Sequence, residues 1–223
     1  MQRSITTALV LFALIAPATA GELSDSDRRF RLTAPEGWTN EPAPGQPIAL
    51  VIASPRISET RGNCNVVVMA NTFGGLSQKE VETIAGEAVN NEAFWKSVVT
   101  TVPEIKSSKI EAFGARDQDG RKVYFAKTVA SVEVNGLALT LTQVQDIHAT
   151  PGNTFGVTCT AQSDKYDRET ADIETIRLSF KPSLGLMVSW NRAPVYPVAV
   201  RGAVGRFARD ARTAGIMRAK VRR

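Results

Sequence analysis

From residue 108 to residue 163, four runs of strand composition follow one another with only turn residues between them: "SKIEAFGA", "KVYFAKTVASVEV", "LALTLTQVQDIHA" and "NTFGVTCTAQS". The links are "RDQDG", Asn135-Gly136 and "TPGN", short segments of the residue types that reverse a chain tightly. A parallel neighbour needs a crossover of about a dozen residues or more, so these runs form an antiparallel meander. Whatever else the chain does, it must cover the faces of that sheet.

The upstream half supplies further strands and one cover. "RRFRLTAPEGW" alternates around Phe30 and Leu32 before it breaks at Pro35-Glu36-Gly37, and "IALVIAS" and "CNVVVMANTF" carry the branched residues suited to a pleated surface. In the last of these Cys64, Val66, Val68 and Ala70 share a face. "LSQKEVETIAGEAVNNEAFWKSVV" reads as one helix that ends before Pro103, started by a Ser77/Glu80 capping box, with Val81, Ile84, Ala85, Ala88, Trp95 and Val98 on its apolar side. After the meander, "DKYDRETADIETIRLSF" sets Ile173, Ile176 and Phe180 on one side of a second helix, with Asp167 as its expected cap and Pro182 closing the domain. Three strands, a helix, four strands and a helix make an α+β fold, an α/β/α sandwich around a central antiparallel sheet.

The opening "MQRSITTALVLFALIAPATAGE" has Arg3, an apolar run from Ala8 to Ala16, and Ala18-Thr19-Ala20 as a small-x-small cleavage site. It reads as a secretory signal over residues 1–20, with a periplasmic or secreted mature chain starting at Gly21. The apolar run is shorter than the roughly 20 residues of a bilayer span. Cys64 and Cys159 are the only cysteines. An even number in an oxidising compartment favours a disulfide, against the alternative of two buried thiols. Such a bridge closes a loop of about 95 residues, worth on the order of 4 kcal/mol.

Charge divides the chain into unlike parts. Residues 21–180 hold 16 Lys or Arg against 21 Asp or Glu, a net of −5, whereas residues 181–223 hold 10 against 1, a net of +9. The expected organisation is a signal over 1–20, a mildly acidic domain over 21–181 and a basic tail over 182–223.

A strand followed by Pro35-Glu36-Gly37-Trp38, a helix ending in the aromatic pair Phe94-Trp95, a long hairpin meander, and a last helix finishing in Ser179-Phe180 resemble the PsbP/Mog1 superfamily of small α/β/α sandwiches, in particular its exported bacterial members. The resemblance covers about residues 28–180. It implies a module that binds proteins or assists assembly of complexes rather than an enzyme, with no shared catalytic residue. The tail departs from the pattern.

The residues themselves assemble no recognisable chemistry. His148, the only histidine, is read as a solvated residue beside the "TPGN" turn, and no GxSxG elbow accompanies it. Ligands for a His/Cys metal site are too few, and a hairpin turn accounts for Asp117 and Asp119 without calcium. "FGG" at 73–75 lacks the rest of any nucleotide fingerprint. No catalytic residue, cofactor or metal is therefore expected. Trp38, beside a Pro- and Gly-rich loop, is a candidate for a ligand groove.

In the tail, Val200, Val204, Phe207, Ala211, Ala214 and Val221 recur at helical spacing between Arg201, Arg206, Arg209, Arg212, Arg218 and Arg222. These arginines are candidates for contact with an anionic membrane or an acidic partner, while Gly202, Gly205 and Gly215 weaken such a helix. A disordered or adventitious tail is the competing reading, and nucleic acid is a poor partner for an exported chain. Two functions are carried forward: an exported, non-catalytic module recognising a protein or small ligand, and a peripheral envelope protein docking through its arginines.

Overall fold

The computed structural model describes residues 20–183, apart from Gln46, residues 101–103 and Asn135. The signal segment up to residue 19, the tail arginines Arg201 to Arg222 and the Asn135 half of one expected turn lie outside the described residues.

In chain order the elements are β1 (Gly21–Ser24), β2 (Phe30–Ala34), β3 (Thr39–Glu41), β4 (Ile48–Ala53), α1 (Ile57–Thr60) and β5 (Asn63–Ala70). Then follow α2 (Gln78–Val89), α3 (Glu92–Thr100), β6 (Ile105–Gln118), β7 (Arg121–Val134), β8 (Leu137–Thr150) and β9 (Asn153–Gln162). A 3₁₀ turn over Ser163–Arg168, α4 (Thr170–Ser179) and β10 (Lys181–Pro182) complete the described chain.

The meander is present as expected. β6, β7, β8 and β9 lie side by side, every pair antiparallel, in a seven-stranded sheet of order β3-β4-β5-β9-β8-β7-β6. The β6–β7 reversal puts both Asp119 (φ 52°) and Gly120 (φ 75°) in the left-handed region, which matches the twist of the flanking strands. β5 lands against β9 with Cys64 directly opposite Cys159, and the two are bonded at an S–S distance of 2.02 Å.

Each face of the sheet is covered, as the sandwich requires. On one face Cys64, Val66 and Val68 of β5 and Phe155, Val157 and Cys159 of β9 pack with Ile173 and Ile176 of α4 and with Phe30 and Leu32 of β2. On the other, Tyr124 and Ala126 of β7 pack with Val81, Ala85 and Val89 of α2 and with Trp95 of α3. The capping box at Ser77 and Glu80 is formed in both directions.

Four local expectations are corrected. Phe30–Ala34 leaves the central sheet and pairs with β1 and β10 in a separate three-stranded sheet, while β3 takes the vacated edge. The single long helix is two. Asn91 ends the first and starts the second, its Nδ2 donating to the Ala88 carbonyl at 3.1 Å and its Oδ1 accepting from the Phe94 N–H at 2.9 Å, the local competition with helix typical of Asn. Ile84 and Ala88 are exposed rather than on the buried stripe. Asp167 caps nothing: it falls in the 3₁₀ turn, and α4 begins at Thr170 after Glu169.

The start of α4 is instead fixed by charge. Glu169, fully buried, accepts from Ser54 Oγ (3.0 Å), Thr60 Oγ1 (2.7 Å) and Arg56 Nε (3.1 Å). Gly62 is required beside it, because a Cβ there would stand 2.8 Å from the Glu169 carboxyl carbon.

Candidate functional site

Strand alternation builds the site. Val144 belongs to the core on the α4 side of the sheet, so Asp146 and His148, two and four residues further along β8, face the same way. Across the sheet, Val123 of β7 pairs with both His148 and Arg116 of β6, so Arg121, two residues before it, shares their face.

Asp146 is completely buried and is held by two guanidinium forks. Arg116 donates from Nη1 to Oδ1 (2.8 Å) and from Nη2 to Oδ2 (2.7 Å). Arg177 of α4 donates from Nε to Oδ2 (3.0 Å) and from Nη2 to Oδ1 (2.7 Å), and is also paired with Glu174. Burial pushes the Asp146 carboxyl up, but the hydrogen bonds from Arg116 and Arg177 and their charge outweigh it and hold it below the usual carboxylate range. Gln118 extends the network. It accepts from Arg116 Nη2 (2.9 Å) and donates to the carbonyls of Arg177, Leu178 and Phe180 (3.1 Å each), so the β6–β7 hairpin is tied to the end of α4.

Above this network opens a cleft of about 380 Å³, walled by Arg31, Arg121, His148, Phe180, Lys181 and Pro182, with Gln118, Asp119 and Ser183 completing it. Lys181 pairs with Asp119 at 3.0 Å and Arg31 approaches Glu22 at 3.6 Å. The Arg121 side chain has neither an ion pair nor a hydrogen bond among the described residues, and its Nη1 is buried. The backbone N–H of Ser183 donates to the carbonyl of Arg29, the residue before β2 (2.7 Å).

His148 is not the solvated turn residue that its place beside "TPGN" suggested. It is 4% exposed, its ring lies 4.6 Å from that of Phe180, and its Nε2 has no hydrogen-bond partner among the described residues. The strand runs on to Thr150, so His148 is an interior position of β8 on the covered face. Burial pushes the imidazole down most; the Asp146 carboxylate opposes this, and the Arg116, Arg121 and Arg177 guanidiniums lower it further, to about 4. At neutral pH the ring is uncharged.

A pH dependence follows from this only histidine. Its folded value of about 4 lies below the ordinary 6.5, so the unfolded chain binds the extra proton first and stability falls as pH drops from about 6.5 towards about 4. The expected loss between about pH 7 and about pH 5 is on the order of 2 kcal/mol. Urea unfolding of the wild type and of His148→Leu at the two pH values checks it: the difference should shrink in the variant, and a wild type equally stable at both would exclude it.

The cleft has the residue types of a hydrolytic triad without its contacts. Ser183 lines the same space, but among the described residues no hydroxyl is bonded to His148 Nε2. Asp146, two residues from His148, directs its oxygens to arginines. Asp117 pairs with Lys122 at 2.9 Å, and among the described residues no group of three or more His, Cys, Asp or Glu is placed to hold a metal ion.

Of the residues named from sequence, Cys64 and Cys159 form the disulfide, buried in the core on the α4 side. Trp38 belongs to the same core; it is 6% exposed, and its indole N–H donates to Asp172 at 3.1 Å. It does not line the cleft. Asp146, Arg116, Arg177, Gln118 and Arg121 were not singled out. The available signal was the alternation in "TQVQDIHA", which puts an acid and a histidine on the apolar face of a strand.

The fold defined by these elements is the PsbP/Mog1-like α/β/α sandwich, as the motifs implied. The chain is similar to the solution structure of cyanobacterial PsbP (CyanoP) from Synechocystis sp. PCC 6803, with a TM-score of 0.54 and 17% identity over 78% of this chain and 99% of that one. It also matches a structure from Bacteroides thetaiotaomicron VPI-5482 (TM-score 0.44, 11% identity, 74% of this chain and 49% of that one). A third match is LpqN of Mycobacterium tuberculosis, described as involved in cell envelope biogenesis (TM-score 0.41, 14% identity, 72% and 88%). No family model and no curated protein matches the sequence.

Proposed function

We propose that this chain is an exported, non-catalytic binding or assembly-assisting module that recognises a protein or small ligand through the cleft beside His148. One observation carries the reading: the cleft wall holds the Arg121 guanidinium and a buried imidazole nitrogen, neither of which has a partner among the described residues. Buried polar groups in folded proteins are nearly always satisfied by protein, water or ligand, so two without a protein partner in one concave wall support this cleft as the binding site. Beneath them the Asp146 network is saturated, so it acts as a rigid floor.

Export is supported by the leader composition and by the cystine, a bond that persists in oxidising compartments. Among the described residues no helix is long and apolar enough to cross a membrane. The CyanoP likeness supports the sandwich on which the cleft is built.

Native mass spectrometry of the protein recovered from its own envelope tests the reading. Wild type should carry a bound species that Arg121→Gln lacks. Bare wild-type protein, or reproducible turnover abolished by His148→Leu, would refute it.

A further inference from the structure

Resting on the cleft as the binding site, we infer that its ligand is a small organic monoanion: one carboxylate carried on an apolar body. The first warrant is Arg121. Its guanidinium presents parallel N–H donors, one buried and unmade, and a carboxylate is the planar group that accepts two of them at once.

The second is a charge count. Arg31 and Lys181 stand directly opposite each other across the β2–β10 pair, an arrangement that is unfavourable for like charges unless something negative lies between or beside them. Each has one acidic neighbour, Glu22 and Asp119 respectively. In the floor, Arg116 and Arg177 are balanced by Asp146 and Glu174. Among the described residues around the cleft, the cation left over is Arg121. A monoanion neutralises it, whereas a dianionic phosphate would leave one negative charge unbalanced in the cleft.

The third is what surrounds the charge. Phe180 and Pro182 supply apolar wall, and His148, nine-tenths buried and uncharged at neutral pH, offers one hydrogen bond rather than a second charge. A volume of about 380 Å³ lies at the small end of ligand sites, which run from roughly 300 to 1,000 Å³. That is room for a molecule the size of benzoate, and it does not suit a folded partner's surface.

The test titrates the full chain with benzoate, benzamide and phenyl phosphate, following the ring protons of His148 by NMR. Benzoate should shift them saturably, with benzamide at least about tenfold weaker for lack of charge and phenyl phosphate no tighter than benzoate. Arg121→Gln should lose at least about tenfold in benzoate affinity at unchanged melting temperature, and Arg121→Lys, which keeps the charge without the fork, should fall between. Benzoate that leaves the His148 signals in place, binds Arg121→Gln as well as wild type, or is matched by benzamide or exceeded by phenyl phosphate overturns the inference. If it fails while the native protein still carries an Arg121-dependent species, the ligand class is wrong and the cleft remains the binding site; if both fail, the cleft is not a binding site.

Discussion

Asp146→Ala should destabilise the protein by about 3–5 kcal/mol, the range for removing one partner of a buried ion pair. The substitution removes the acceptor of four hydrogen bonds, two from Arg116 and two from Arg177. The two arginines then fare differently. Arg116 is 22% exposed and has Gln118 as a second partner, so part of its charge can be rehydrated. Arg177 is 6% exposed and keeps only Glu174, so most of the cost falls there. Substituting Asp146→Leu together with Arg177→Met removes both buried charges and should recover a large part of the loss, because the desolvation penalty goes with the pair. Urea unfolding of the two variants reads both numbers. A cost below about 1 kcal/mol for Asp146→Ala, the size expected of a surface pair, would mean that the network is not structural. Acid should reproduce part of the effect. The folded carboxyl lies below its ordinary 3.8, so its stabilisation is complete above that value and is lost as pH falls beneath it, a window separate from that of His148.

The parts of the fold that could be read from sequence are those specified locally. The meander was legible because each reversal carries its own signal, as Asp119-Gly120 does in its left-handed turn. The Ser77 capping box was legible for the same reason. What escaped depends on distant partners. Nothing within Phe30–Ala34 distinguishes a strand of the central sheet from one that pairs with Lys181–Pro182, about 150 residues away. The break at Asn90-Asn91 was present as composition, but two asparagines between good helix formers do not announce that one will cap the following helix.

The site was less legible than the fold because its chemistry lies in the placement of common residues. Arg116 and Arg177 are ordinary surface residues by composition, and only the β6–β7–β8 register and the position of α4 make them the two jaws on Asp146. The turn near His148 suggests a solvated residue, but β8 continues past it, and its even-numbered positions there face the core on the α4 side. Trp38 stands just before a loop rich in Pro and Gly, which made it a candidate for a ligand groove, yet Asp172 offers its indole N–H a partner and the ring is buried.

The second large effect concerns the cystine. The Cys64→Ala/Cys159→Ala protein should be less stable by about 4–5 kcal/mol, the chain-entropy value for a loop of this length, with a melting temperature lower by roughly 10 °C or more. The bond joins residues 95 apart in sequence, on strands already paired at eight successive positions. In the folded state it therefore adds little order that the ladder lacks, and its effect is on the unfolded chain, where it removes conformations. Two consequences separate this from a simple packing loss. The denaturant slope should rise in the double variant, because an unfolded chain freed of its tether exposes more surface, whereas a cavity alone lowers the midpoint at constant slope. Reductant without denaturant should act slowly, since both sulfurs lie at 0–1% exposure between β5 and β9 and are reached only when the sheet opens. Rapid reduction of the native protein, or a double variant with the midpoint and slope of the wild type, would show that the bridge leaves the unfolded state unconstrained.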